Sequence, residues 1–192
     1  MHPSRHARQA NLLGALAISV TDRLHARLVG DDQRGLSATA ALVHLRLRPG
    51  ENIDFLGRLL GISHPATVRL VDRLEAKRLV ERRPGSDARS RALFLTRAGQ
   101  RAAVAALKAR LALLERVLEP LTAAERRQLE SVLEKLLAAL VDDRWETRHT
   151  CRLCDYATCA DPYCPVERAV DDPGIEVERL APVSPARGPA RR

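Results

Sequence analysis

Four cysteines crowd toward the C-terminal end at the spacing Cys151-x2-Cys154-x4-Cys159-x4-Cys164. Thiolates are soft donors, and four in a short segment suit tetrahedral zinc; a pair two residues apart lets one turn offer two sulfurs to a single ion. Structural Zn2+ is therefore the expected occupant, because the segment has too little apolar mass to fold unaided. An all-thiolate set also suits an iron–sulfur cluster, although these intervals differ from ferredoxin runs. A reversible disulfide without metal is a third reading, with Cys151 and Cys154 as its natural pair, and four unliganded thiols are the plain alternative. His149 is a substitute ligand or, more simply, a solvated surface histidine.

A second concentration of chemistry is electrostatic. Between Ser63 and Arg97 stand nine basic residues, Arg69, Arg73, Lys77, Arg78, Arg82, Arg83, Arg89, Arg91 and Arg97, against four acids, Asp72, Glu75, Glu81 and Asp87. The window thus holds an excess of five positive charges out of a chain total of +8. Charge gathered in this way fits a phosphate backbone, while a solvated face laced with salt bridges is the bland alternative. With one Trp, two Tyr and two Phe, the chain lacks a stacking surface for single strands, so duplex DNA is the expected partner.

The elements that must position these groups are mainly helical. Leu13, Leu16, Val20, Leu24 and Leu28 recur at helical spacing from Ser4 onward. After Gly30 to Gly35, Ser37 is read as the cap of a helix that Pro49-Gly50 ends. Asn52 caps a short third helix running to Leu60, Gly61 closes it, and Ser63 caps a fourth running to about Lys77. Two short helices around a tight glycine turn form a helix-turn-helix, whose second helix enters the major groove. Leu79 to Arg83 and Arg91 to Leu95 flank Pro84-Gly85-Ser86-Asp87 as a β-hairpin wing. Thr96 opens a long helix, and Thr122 with Glu125 forms a capping box after Pro120 for the next, which extends to about Val141.

The fold expected is mainly α with a small β-hairpin wing, a winged helix-turn-helix with N- and C-terminal dimerisation helices. Its divisions are a first dimerisation helix over 4–35, the DNA-binding domain over 36–97, dimerisation helices over 98–148, a cysteine-rich metal-binding extension over 149–170 and an unstructured tail over 171–192. The outer helices are too long and apolar merely to cover the winged module, so a twofold homodimer is expected. On the reading helix, Ser63, His64, Ala66, Thr67 and Val68 occupy the turns that meet base edges. Arg69 reads guanine or holds phosphate, and Arg73 holds phosphate, as do Arg89 and Arg91 on the wing unless they enter the minor groove. Thr67, Leu70, Val71 and Leu74 also fall on the inward stripe, and His64 is equally readable as a plain exposed helix-start residue.

The stretch Ser63-His-Pro-Ala-Thr-Val-Arg-Leu-Val-Asp-Arg-Leu-Glu75, with Leu79-Val-Glu-Arg-Arg83, Asp87-Ala-Arg89 and Leu95-Thr-Arg-Ala-Gly99, resembles the MarR family of winged helix-turn-helix regulators. The resemblance spans about residues 10 to 145. It implies an obligate homodimer on a palindromic operator, often a repressor released by a small phenolic compound, a drug or an oxidant. It also implies that Asp87 and Arg89 form the wing's Asp-x-Arg motif, and that Arg69 and Arg73 are the recognition-helix arginines. Three departures stand out: Arg78 replaces a common glycine, at about 1 kcal/mol if the turn needs positive φ; Thr67 and Val68 stand in nearly reversed order; and the cysteine segment is additional. Its intervals resemble a zinc knuckle with Cys159 in place of histidine, without that knuckle's glycine and aromatic pattern.

The resemblance places an effector pocket between the dimer helices and the winged module, where His25, Arg27 and His44 are candidate polar anchors, each more simply a boundary residue. No apolar run is long enough to cross a bilayer and no signal peptide is evident, so a cytoplasmic, DNA-associated protein without a membrane partner is expected. No nucleophile-and-base constellation emerges, so no enzyme is expected. The alternatives are an interaction adaptor on a winged scaffold and, behind it, a zinc-dependent enzyme.

Overall fold

The computed structural model describes residues 4–29, 35–85, 91–159 and 164–170. In chain order the elements are α1 (Arg5–Val29), α2 (Gly35–Leu47), α3 (Ile53–Leu60), α4 (His64–Ala76), β1 (Val80–Pro84), β2 (Arg91–Leu95), α5 (Arg97–Leu118), α6 (Ala123–Ala138), α7 (Arg144–Thr150), α8 (Tyr156–Cys159) and α9 (Pro165–Ala169). The expected mainly helical architecture with a hairpin wing is present.

Its core is aliphatic. Leu42 and Leu45 of α2, Leu56 and Leu59 of α3, Val71 and Leu74 of α4 and Leu93 of β2 are all buried in one cluster. Several local signals behave as the chemistry predicts. Asn52 Oδ1 accepts from the Phe55 amide at 2.8 Å, and Gly61 closes α3 in the left-handed region at φ 64°. The Thr96 hydroxyl accepts from the Gly99 amide at 3.1 Å, and Thr122 with Glu125 forms the reciprocal capping box. Ser37, by contrast, is not a cap: α2 already begins at Gly35, and the Thr39 hydroxyl donates to the Gly35 carbonyl at 3.2 Å. Ser63 has the extended backbone of an N-cap but makes no side-chain cap bond, and Pro65 in the first turn removes one amide N–H from which it could accept; separately, the Thr67 hydroxyl donates to the Ser63 carbonyl.

The wing pairs Val80 with Leu95 and Pro84 with Arg91, antiparallel. The segment after α2 joins it: the Gly50 amide donates to the Leu93 carbonyl at 2.8 Å and the Leu93 amide to the Glu51 carbonyl at 2.9 Å. Arg78, between α4 and β1, has φ 55°, the left-handed geometry that a glycine would accept without strain.

The C-terminal part departs from expectation. Instead of a helical hairpin followed by a separate extension, α7 turns back onto α3, and α9 packs on α6 and α7. Asp143 caps α7, accepting from the Trp145 and Glu146 amides. The tail expected over 171–192 lies outside the described residues.

Candidate nucleic-acid interface and thiol cluster

Helix α4 is held against α3 by a close crossing. A Cβ on Gly57 would stand 3.0 Å from the Thr67 hydroxyl, so glycine at that point lets the two helices approach. Thr67 is consequently wholly buried, 0% exposed, with its hydroxyl donating to Ser63 O at 3.0 Å. This corrects the assignment of Thr67 to the base-reading surface: its hydroxyl is used to satisfy the helix start inside the turn. The reversed order of Thr67 and Val68 has the same origin, since a small polar residue fits against Gly57.

The other α4 residues face as a reading helix requires. Ser63, His64, Arg69 and Arg73 are exposed, and Ala66 and Val68 are half-buried. Among the described residues no ion pair holds Arg69 or Arg73. His64 is tied down at its Nδ1, which meets Asp54 Oδ1 of α3 at 2.7 Å across two exposed side chains. Arg91 is exposed at the start of β2, whereas Asp87 and Arg89 lie outside the described residues.

Two arginines counted in the basic window serve the fold instead. Arg82 of β1 pairs with Asp72 at 2.5 Å and with Glu75, both on α4, and so fastens wing to reading helix. Arg83 pairs with Glu81 and lies over the Phe94 ring, 4.5 Å from its centroid. A count of charges cannot separate these from phosphate-facing arginines, because both kinds sit in the same short window.

The expected effector anchors separate. His25 is exposed, and Arg27 is exposed along an open cleft between α1 and α5 of about 810 Å3. His44 is buried at 5% exposure, stacked on Phe55 with centroids 5.1 Å apart, and its Nε2 has no hydrogen-bond partner among the described residues. Burial first, then the charges of Arg48 and Arg148, lower its pKa to about 4, so the ring is neutral at pH 7. It lines a small, partly open pocket of about 40 Å3 together with Leu107 of α5, Arg148 of α7 and Cys151, Cys154 and Tyr156. That volume holds a few waters at most.

All four cysteines are free thiols: Cys151 and Cys154 half-buried, Cys159 exposed, Cys164 buried. The interaction of the Cys151 thiol with Cys154 and Cys164 raises its own pKa and lowers theirs, Cys154 to about 6 and Cys164 to about 7. Arg110 of α5 adds to the effect at Cys154, its guanidinium 4.0 Å from Sγ. Burial first, then the charges of Cys154 and Cys164, raises the Cys159 pKa. Among the described residues no three His, Cys, Asp or Glu side chains are grouped as they stand around a metal position. His149 reaches α3, its Nδ1–H donating to the Leu59 carbonyl at 2.9 Å.

The contacts that seat this segment were not foreseen. Trp145 of α7 packs on Phe55 with centroids 5.1 Å apart, and the Arg58 guanidinium lies 3.9 Å from the Trp145 ring centroid. The sequence carried one clue, the capping pattern of Asp143 with Glu146, which marks a new helix before the cysteines.

The MarR family profile matches residues 35–90. The fold is similar to that of MepR, a transcription regulator of the Staphylococcus aureus multidrug efflux pump MepA, with a TM-score of 0.61 and 19% identity over 69% of this chain and 98% of that one. It is also similar to wild-type MarR from E. coli in its apo form, with a TM-score of 0.55 and 26% identity over 65% of this chain and 96% of that one. A third similar structure is a point mutant of S. aureus MepR bound to an oligodeoxyribonucleotide, with a TM-score of 0.52 and 19% identity over 69% and 98% of the two chains. No curated protein matched the sequence. Regulators of this family are in general non-catalytic proteins that bind double-stranded DNA. With the glycine-turned helix pair, the hairpin wing and the flanking helices all in place, the chain has the MarR-family winged helix-turn-helix regulator fold.

Proposed function

We propose that this chain is a homodimeric, sequence-specific repressor that binds a palindromic operator in double-stranded DNA. The carrying observation is the exposed edge of α4, where Arg69 and Arg73 are unengaged among the described residues beside a wing that Arg82 holds in place. Ala66 and Val68 offer methyl groups to thymine, and Arg69 offers a fork to guanine. The similar MepR mutant bound to an oligodeoxyribonucleotide supports the same use of the fold.

The homodimer is supported by apolar side chains left in solvent. Leu12, Leu13, Leu16 and Ile18 of α1 are exposed, as are Leu133 and Leu136 of α6. An apolar face of this kind on terminal helices is what a second copy covers. Among the described residues no helix is long and apolar enough to cross a membrane. The working location in this reading is the cytoplasm, on DNA.

Release by a small molecule is the regulatory half of the reading. Of the three candidate anchors, His44 is the one this reading uses, because it alone is buried beside a pocket with an unpartnered ring nitrogen. The pocket beside His44 has room for only about 40 Å3, so a drug-sized effector needs its walls to widen.

Genomic footprinting with the purified protein tests the reading. One enriched palindrome, with half-sites one or more helical turns apart and an affinity that falls steeply with salt, is the expected result. Diffuse binding with no enriched sequence, or no salt dependence, overturns it in favour of an adaptor.

A further inference from the structure

The cysteine segment sits on the first helix of the DNA-reading pair and on its turn. Trp145 and Arg58 stack, His149 bonds the last-turn carbonyl at Leu59, and its ring edge lies 3.2 Å from where a Cβ on Gly61 would be. Two residues after His149 comes Cys151, and the Cys154 amide donates to the Cys151 carbonyl at 2.8 Å in a tight turn. Cys164 and Val166 then pack with Val141 at the end of α6, with Cys151 against them. The thiols therefore stand where α7, α9 and the dimer helices meet, at the root of the clamp on the helix-turn-helix.

We propose that Cys151, Cys154, Cys159 and Cys164 bind one soft divalent metal ion, tested as Zn2+, and that the bound ion fastens α7 onto α3 and the Gly61 turn, so that metal occupancy sets operator affinity. The affinity half rests on the DNA-binding reading above; the metal and the fastening do not.

The donor set fits such an ion. Cys151 packs against buried Cys164, and Cys154 follows one tight turn later, so a tetrahedral ion with Zn–S bonds of about 2.3 Å would draw together thiols that already share one neighbourhood. Binding would replace S–H bonds by metal–sulfur bonds and release the protons to solvent. Cys159 supplies the fourth thiolate from α8, a helix tied to α9 by the hydrogen bond from the Tyr156 hydroxyl to Glu167. The ion thus joins short elements that have little core of their own. Four thiolates complete a tetrahedron without His149, whose Nδ1–H bond to Leu59 gives it the separate task of passing the cluster's position to the helix pair.

The chain carries its own reporter, since Trp145 is its one tryptophan and lies in the α7–α3 contact. The experiment loads reduced protein with Zn2+, exchanges it against a weak chelator, and measures metal per chain, Trp145 emission and operator affinity by anisotropy. Co2+ substituted for Zn2+ reads the donors through its thiolate charge-transfer band. Expected are one metal per chain, a red shift of Trp145 emission when a strong chelator strips the ion, and operator binding weakened on the order of ten-fold. By linkage, operator should tighten metal binding by the same factor.

Cys154→Ser should lose the metal and show the stripped emission. His149→Ala should keep one metal and its cobalt spectrum yet lose the difference in operator affinity, which covers the case in which the cysteine variant misfolds. Isolation without metal, and with a mass lower by a pair of hydrogens, would make the cluster a disulfide and overturn the proposal. Metal bound with unchanged Trp145 emission, or equal operator affinity with and without metal, would overturn the fastening. If no form of the protein binds DNA, the repressor reading fails, while metal content and Trp145 emission still decide the site.

Discussion

At the scale of single residues, two side chains sit in environments that cost stability in different ways. Arg78 holds a positive φ, with its carbonyl accepting from the Thr96 hydroxyl at 2.6 Å. Glycine accepts that backbone freely, so Arg78→Gly should stabilise the fold by about 1 kcal/mol, read as a higher urea midpoint at constant slope. His44 is buried and neutral, its pKa lowered to about 4 by burial and by Arg48 and Arg148. The unfolded ring titrates near 6.5. Above that pH neither state takes up the proton and nothing is lost; as pH falls from about 6.5 toward 4 the unfolded state binds it first, and stability declines by roughly 3 kcal/mol. Comparing unfolding of wild type and His44→Phe at pH 7 and pH 4.5 checks this, the variant lacking that share of the decline.

At the scale of elements, the helix-turn-helix was legible because its punctuation is local: Asn52, Gly61, Thr96 and the Thr122–Glu125 box each act within a few residues. The placement of α7 was not legible, because it depends on Phe55, Arg58 and Trp145 meeting across some ninety positions of chain, as His149 and Leu59 also do. Nor was the division of the arginines, since Arg82 and Arg83 differ from Arg69 and Arg73 only in which acid or ring lies nearby. That division predicts different phenotypes. Arg69→Ala should weaken operator binding by about 1–3 kcal/mol and, if it reads guanine, relax preference at one base pair, whereas Arg73→Ala should weaken all duplexes alike and reduce the salt slope by about one. Titrating matched and scrambled duplexes at several salt concentrations separates the two. The close approach of α5 to the wing gives a third case: a Cβ on Gly99 would fall 2.0 Å from the Leu79 carbonyl, so Gly99→Ala should destabilise by more than about 2 kcal/mol, seen as a lowered thermal midpoint.

At the scale of the whole molecule, α1 and α6 leave leucines exposed, and in the proposed dimer a second copy covering them would set the distance between the reading helices. Leu16→Glu combined with Leu136→Glu should give a monomer in sedimentation that keeps its helix content but loses tight operator binding, since each half-site alone supplies only part of the free energy.

Arg82 bears on how such a molecule would leave DNA. One guanidinium paired with both Asp72 and Glu75 ties the wing's first strand to the reading helix. In the proposed complex, Arg82→Ala should let the wing loosen first and speed release from an operator half-site by a few-fold at most, since partly exposed ion pairs are worth about 0–1 kcal/mol.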